Sequence, residues 1–277
     1  MKENLEIPFS GYEYIHVVIE FYSNQMIEDK KFIITEKDVN TRFDKLSFYL
    51  KKWGNIDLPD FILLLNFINK HSLPKYISQN NLFKKKLNTI DFTASVHLNF
   101  FNPETVKNKY TGLEINYNIF NSRFGKVIIA SISDYICFVY FIETDEQALN
   151  ILKNYFKKAH FIKKSKNIHL EALEKINNPE NDSPIQVLVN ASSLQENVWK
   201  QLALLPYKNI YNYGEIALQI NNANANRAVG TAIGKNPIAV LIPCHRVIQS
   251  SGKIGEFMWG TNRKKALLIY EILSLKK

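Results

Sequence analysis

Apolar residues recur at helical spacing through residues 12–22 (YEYIHVVIEFY), and a second helical stretch covers about 42–52 (RFDKLSFYLKK). Trp53-Gly54 is expected to end that helix, with Gly54 taking the left-handed conformation of a C-terminal cap. Asp57-Leu58-Pro59 opens the next, because Asp is a good N-cap and Pro tolerates the first turn. The third helix, FILLLNFINKH, is strongly apolar. From Leu113 the period changes. Residues 113–117, 125–131 and 135–141 are rich in β-branched and aromatic side chains and read as strands, with turns at Phe124-Gly125 and Ser133-Asp134. Residues 148–159 (ALNILKNYFKKA) form an amphipathic pattern, apolar at 149, 151, 152, 155 and 156, which predicts a helix covering a small sheet.

A polar linker, NNPENDSP, occupies residues 177–184. Beyond it, Ser192-Ser-Leu-Gln195 can form a capping box for a helix over 195–205, closed by Leu205-Pro206-Tyr207. Tyr213-Gly-Glu-Ile-Ala217 opens another helix, and a third begins near Asn224. Two short helices joined by an Asn/Ala-rich turn predict a helix-turn-helix. An apolar run over 238–242, read as a strand, then leads into Pro243-Cys244-His245-Arg246.

Composition changes the picture modestly. The 277 residues can hold two domains, or three small ones, and 46% hydrophobic with 22% charged residues is ordinary for a globular chain. No apolar run approaches the length that crosses a bilayer, and the N-terminal stretch has no hydrophobic signal core. The expectation is therefore a cytoplasmic protein without a membrane partner. A formal net charge of +9 suits a phosphate backbone without requiring one. The only cysteines are Cys137 and Cys244, so neither a disulfide framework nor a cysteine-rich zinc site is expected. Cys137 lies mid-strand and reads as core.

A cysteine beside a histidine is weak evidence of chemistry, since neighbours on one strand face opposite ways. The longer run from Asn226 to Ile248, NRAVGTAIGKNPIAVLIPCHRVI, carries far more. It resembles the active-site region of the O6-alkylguanine-DNA alkyltransferases, suicide repair proteins that move an alkyl group from guanine O6 onto their own cysteine. The likeness extends from Leu113 to the C-terminus and includes the Val198-Trp199 pair. It implies an α/β (α+β) protein with a ribonuclease H-like sheet-and-helix domain and a C-terminal winged helix-turn-helix domain. It also implies a monomer acting on double-stranded DNA that carries O6-alkylguanine, with no cofactor.

The same resemblance assigns roles. Guanine O6 is buried in the base stack, so the nucleotide must be flipped out. Arg227 is then the finger that fills the gap, and Tyr213 the tyrosine that helps swing the nucleotide outward. Small residues at 223, 225, 228 and 230 suit close approach in the minor groove, so Asn226, Ala228 and Gly230 are expected at the DNA. Asn236 is the hinge tying the recognition helix to the active-site strand. Cys244 is the nucleophile, His245 takes its proton through water, and Glu271 orients the histidine. Arg246 is expected to brace the loop or a phosphate. The loop over 252–260 covers the flipped guanine with Phe257, Met258 and Trp259. Many relatives have tyrosine at position 257, so assistance to the leaving oxygen is expected to be weaker here.

A fainter likeness covers the first part. Residues 48–70, with Lys-Trp-Gly followed by Pro59-Asp60-Phe61, resemble the recognition half of an AraC-type domain, and residues 97–117 its end. The order is that of Ada-like proteins, although the second helix-turn-helix, around Asn80–Leu98, lacks the usual glycine turn. The resulting division is an all-helical, degenerate AraC-type domain over 1–108, an α/β domain over 109–184, and a DNA-binding and active-site domain over 185–277. The alternative function is a methylation-responsive transcriptional regulator of the Ada type.

Overall fold

The computed structural model describes residues 12–29, 31–70, 72–75 and 95–273. The N-terminal stretch before residue 12 and nearly all of the region expected to form the second AraC-type helix pair lie outside them. The chain divides into two compact units, one built from residues 92–244 and the other from 1–91 together with 245–277. These units follow packing and not chain order, unlike the three consecutive segments expected from the sequence.

The unit over 92–244 is organised on a six-stranded sheet, order β1-β6-β4-β3-β2-β5. Its strands are β1 (Val96–Phe100), β2 (Glu114–Ser122), β3 (Gly125–Ile132), β4 (Tyr135–Phe141), β5 (His160–Lys163) and β6 (Ile185–Val189). The expected β2–β3–β4 meander is antiparallel, with Ile119 opposite Ile128 and Ile129 opposite Val139. β5 and β6 join it in parallel. Helix Asp145–Tyr155 seals one face: its Ala148 and Leu152 pack with Ile128, Ala130, Phe138 and Phe156 in a cluster that includes Cys137. Burial pushes the Cys137 thiol pKa well above its usual value, which leaves it an inert part of the core. Helix Asn167–Asn177 packs on the sheet as well, and its fully buried His169 bonds Ser131 Oγ at 2.8 Å.

β1 corrects the sequence reading. It lies inside the segment expected to be all-helical, yet Val96 to Phe100 pair in parallel with Ile185 to Val189. The reason is non-local: a strand this short has no stability without the ladder that residues about ninety positions later provide.

The other unit is helical. Helices Tyr12–Glu28, Glu36–Arg42, Leu46–Gly54 and Leu58–Asn69 come from the N-terminal segment, and Thr261–Leu273 from the end of the chain. Helix Thr261–Leu273 buries ten of its thirteen residues, so it is the central element here and not a surface one. It packs against helices Tyr12–Glu28 and Leu58–Asn69. The predicted helix end at Trp53-Gly54 is off by one residue. Gly54 stays helical, and Asn55 takes the left-handed cap with φ 53°. Gly54 is there for space: a Cβ at that position would lie 2.8 Å from Tyr270 Cε2. Asp57 does occupy the N-cap of the next helix, but its side chain makes no capping hydrogen bond.

Candidate active site

Two capping boxes set the helices of the site. Ser192 Oγ accepts from the Gln195 amide at 3.4 Å, and Gln195 Oε1 accepts from the Ser192 amide at 2.8 Å, which starts helix Ser193–Ala203 as predicted. Asn212 and Glu215 make the same reciprocal pair at the start of helix Tyr213–Gln219. Asn221, with φ 55°, turns the chain toward helix Asn226–Gly234, a conformation asparagine tolerates better than most residues. The two helices pack on each other and on helix Ser193–Ala203. Trp199 Nε1 donates to the Ala232 carbonyl at 3.0 Å, locking the third helix in place.

Helix Asn226–Gly234 turns Val229, Ala232 and Ile233 inward and leaves Asn226, Arg227 and Ala228 exposed. Tyr213 lies half-buried against Gly230: a Cβ there would be 3.7 Å from the tyrosine ring, ordinary contact. Gly230 is therefore a place of close packing and not of strain.

The segment after this helix differs from the sequence reading. Residues 238–242 do not form a strand. Ile238 makes one parallel bridge to Val139, and the chain then tightens so that the Leu241 amide reaches the Ala239 carbonyl at 2.7 Å. Val240 sits at φ 65°, a left-handed conformation that β-branched residues seldom adopt. Two features explain the turn. Pro237 and Pro243 lack the N–H groups a ladder needs, and Asn236 supplies replacement bonds from a buried side chain. Its Nδ2 donates to the carbonyls of Ile238 (3.2 Å) and Ile242 (2.9 Å) and to Cys244 Sγ (3.2 Å), while its Oδ1 accepts from the Ile238 amide (2.9 Å). Asn236 thus holds both the turn and the sulfur. An amide N–H aimed at sulfur favours the thiolate over the thiol.

Cys244 is 4% exposed and begins a single 3-10 turn, Cys244–Arg246. His245 is fully buried, and its Nε2 is 2.7 Å from Glu271 Oε1. Arg246 is buried too. Its Nε reaches Glu271 Oε2 at 2.9 Å and its Nη2 reaches Oε1 at 3.0 Å, the bidentate geometry that suits a guanidinium. Arg246 therefore braces Glu271. The sequence reading pairs Glu271 with His245 and does not expect the same carboxylate to hold Arg246 as well.

The electrostatics follow from this geometry. Burial alone would push the Glu271 carboxyl pKa up, but Arg246 and then His245 overcome it and hold it down at about 2. Glu271 is thus an anion whose counter-charge is Arg246. His245 is lowered by burial, which outweighs the pull of Glu271 in the other direction, so it is neutral near pH 7. A neutral imidazole facing a carboxylate through Nε2 must carry its proton there. Nδ1 then holds the lone pair, and among the described residues it has no hydrogen-bond partner.

In the loop after the 3-10 turn, Phe257 and Trp259 meet edge to face with ring centroids 5.0 Å apart. Phe257 is half-buried, Met258 is 45% exposed and Trp259 is buried. Trp259 also accepts Arg263 Nη1 on its carbonyl at 2.7 Å. The structure thus groups the predicted residues as Tyr213 with Gly230, Asn236 with Cys244, His245 and Arg246 with Glu271, and Phe257 with Trp259. Each group lies within one compact unit. Among the described residues no His, Cys, Asp and Glu side chains cluster as a metal site would require.

Comparison with known proteins adds the family context. Residues 193–272 match the family model described as the DNA-binding domain of 6-O-methylguanine DNA methyltransferase. A methylated-DNA–protein-cysteine methyltransferase from Mycobacterium bovis is 48% identical over 87 residues, 31% of this chain and 53% of the relative. The matched segment therefore spans about half the length of that relative. A protein of the same name from Methanosarcina acetivorans is 32% identical over 155 residues, covering 56% of this chain and 97% of the relative. A crystal structure of an OGT variant from Mycobacterium tuberculosis superposes with TM-score 0.50 at 32% identity, covering 57% of this chain and 93% of the other.

Proposed function

Since it spans nearly the whole of a relative 32% identical to it, this chain belongs to the methylated-DNA–protein-cysteine methyltransferase family, and we propose that it repairs O6-alkylguanine in double-stranded DNA by moving the alkyl group irreversibly onto Cys244. The observation that carries this reading is the buried His245–Glu271–Arg246 arrangement peptide-bonded to Cys244, whose sulfur accepts the Asn236 amide. It offers a base with a vacant lone pair next in sequence to a nucleophile.

The reaction balances without a cofactor. The Cys244 thiol gives its proton through a water to His245 Nδ1, while Glu271 keeps Nε2 bonded and stabilises the imidazolium that forms. The thiolate attacks the alkyl carbon in line. An S–C bond forms, the C–O6 bond breaks, and its electron pair leaves with guanine, which takes back a proton. The thioether is stable, so each molecule acts once. A flipped nucleotide supplies the geometry, with Tyr213 guiding it, Arg227 in the vacated stack, and Phe257, Met258 and Trp259 as the base-covering loop. Exposed Arg227, Asn226 and Ala228 on one helix and a net charge of +9 support duplex DNA as the partner. The same proposal includes the winged helix-turn-helix and ribonuclease H-like descriptions, descent of residues 1–108 from an AraC-type domain, and a monomer in the cytoplasm.

Mass spectrometry after mixing the protein with a short duplex containing O6-methylguanine tests it. One methyl on the Cys244 peptide, saturating at one per protein, is the expected result. Binding without any gain in mass would overturn the transfer reading.

Two variants probe the DNA side. Arg227→Ala should slow transfer from the duplex roughly 10²-fold, because the few kcal/mol spent on flipping is no longer offset. Transfer from free O6-methylguanine base, which needs no flipping, should keep its rate; equal losses on both substrates would remove the finger role. Phe257→Tyr restores a hydroxyl near the leaving oxygen and should raise the single-turnover rate constant a few-fold, on the scale of one neutral hydrogen bond. An unchanged constant would mean that the hydroxyl has no part in leaving-group departure.

A further inference from the structure

The helices within residues 12–75 are not used by the chemistry above, yet Tyr12–Glu28 and Leu58–Asn69 pack against the helix that carries Glu271. Two side chains of helix Thr261–Leu273 are held by this segment. Lys265 Nζ donates to Ser23 Oγ and to Asn69 Oδ1, both at 2.8 Å, joining helices Tyr12–Glu28 and Leu58–Asn69 through one ammonium. Ser23 Oγ lies 2.6 Å from the Ile19 carbonyl and 3.2 Å from Asn69 Oδ1, and with its proton directed to these acceptors its lone pairs take the lysine N–H. Tyr270, next to Glu271, packs on Trp53 with centroids 5.4 Å apart at 62°, and on Gly54, where no side chain would fit. Arg263 adds a third contact, 5.7 Å above the Tyr12 ring.

At 3.6 residues per turn, Tyr270 points about 140° and Glu271 about 240° around the axis from Lys265. The two held side chains and the carboxylate therefore divide the helix circumference into three. A rotation of roughly 20° would sweep a side-chain tip by about 2 Å, given a helix radius of about 5–6 Å with side chains. That exceeds what the 2.7 Å His245–Glu271 bond can absorb.

We infer that the N-terminal helical segment is a positioning part of the active centre: Ser23, Asn69, Trp53 and Gly54 fix the rotation of helix Thr261–Leu273 and so hold Glu271 on His245 and Arg246. These four are positioning residues, since none touches the reacting atoms. A separate DNA-binding module would have no need to clasp this helix through a half-buried lysine. The rate readout below rests on the alkyl-transfer reading, whereas the spectroscopic one does not.

The test uses the full chain with Trp53→Leu and Lys265→Met, singly and together. Lys265→Met is the safer variant for folding, because it replaces a half-buried ammonium whose acceptors among the described residues, Ser23 and Asn69, are neutral. In the DNA-free wild type, nitrogen-15 NMR should show His245 as a single tautomer protonated on Nε2, with a slowly exchanging proton. The double variant, assayed well below its melting temperature, is expected to lose or broaden that signal and to transfer methyl about tenfold more slowly, with Lys265→Met alone in between. A lower melting temperature with the His245 signal and rate unchanged would overturn the inference, leaving the segment as a stabiliser only. A perturbed His245 signal in variants of a wild type that never accepts methyl would support the inference and sink the repair reading instead.

Discussion

Glu271→Gln is expected to lower both stability and the rate of alkyl transfer. The glutamine keeps the volume and can still accept from His245 Nε2, so packing is preserved. It removes the charge on which two buried groups depend. Arg246, 7% exposed, loses the carboxylate that it bonds through two nitrogens, and breaking a buried pair in this way costs about 3–5 kcal/mol. Its melting temperature should fall on the order of 10 °C. The imidazolium formed during transfer also loses its stabiliser, which should slow the reaction by roughly 10²-fold or more.

The sign with pH is fixed by the depressed Glu271 pKa. An unfolded glutamate titrates near 4.5 and the folded one at about 2, so its stabilisation is complete above about pH 4.5 and is lost as pH falls toward 2. His245, held neutral by burial, adds a loss of its own that sets in below the unfolded value of 6.5. Urea titrations of wild type and Glu271→Gln between pH 7 and 2 check both points: the difference between the two proteins should shrink below pH 4.5. A constant gap across that range would mean that Glu271 is not ionised in the fold.

Asn236→Leu should be nearly as damaging for a different reason. The Ile238 and Ile242 carbonyls keep backbone partners, from the amides of Ile242 and Cys244. The Ile238 amide loses the Asn236 oxygen, and a buried donor left alone costs about 1–3 kcal/mol. The sulfur loses its amide donor as well. The strained turn at Val240 then has less to hold it, and the thiolate has less to favour it. Single-turnover transfer should fall roughly tenfold or more, and the pH at which the rate is half-maximal should rise. A variant that is destabilised but has an unshifted pH profile would show that Asn236 supports the turn without acting on the sulfur.

Much of this was legible along the chain because it is local. The capping box at Ser192–Gln195 and the N-cap position of Asp57 depend on residues within a few positions of one another, and the β2–β3–β4 meander on strands consecutive in the chain. Gly54 was legible as a special position but for the wrong reason, since its neighbour Tyr270 comes from the far end of the chain. Residues 238–242 misled because five apolar residues in a row read as a strand, and periodicity does not reveal a buried turn held by an asparagine. β1 and β6 were too short to stand out from their surroundings, and each forms by pairing with strands far away in sequence: β1 with β6, and β6 with β4 as well.

The sequence by itself determined which reactive groups this protein owns and most of their order: a thiol before an imidazole, an arginine at the start of a small-residue helix, a proline on either side of the turn. These are covalent facts, and the short-range motifs around them follow from local hydrogen bonding. Only the tertiary structure decided their chemical state. Glu271 is an anion because Arg246 lies within 3 Å of it inside the protein, and His245 is a neutral base because it is out of water. Charge states depend on burial and on partners brought together by packing, and neither is written in the neighbouring residues.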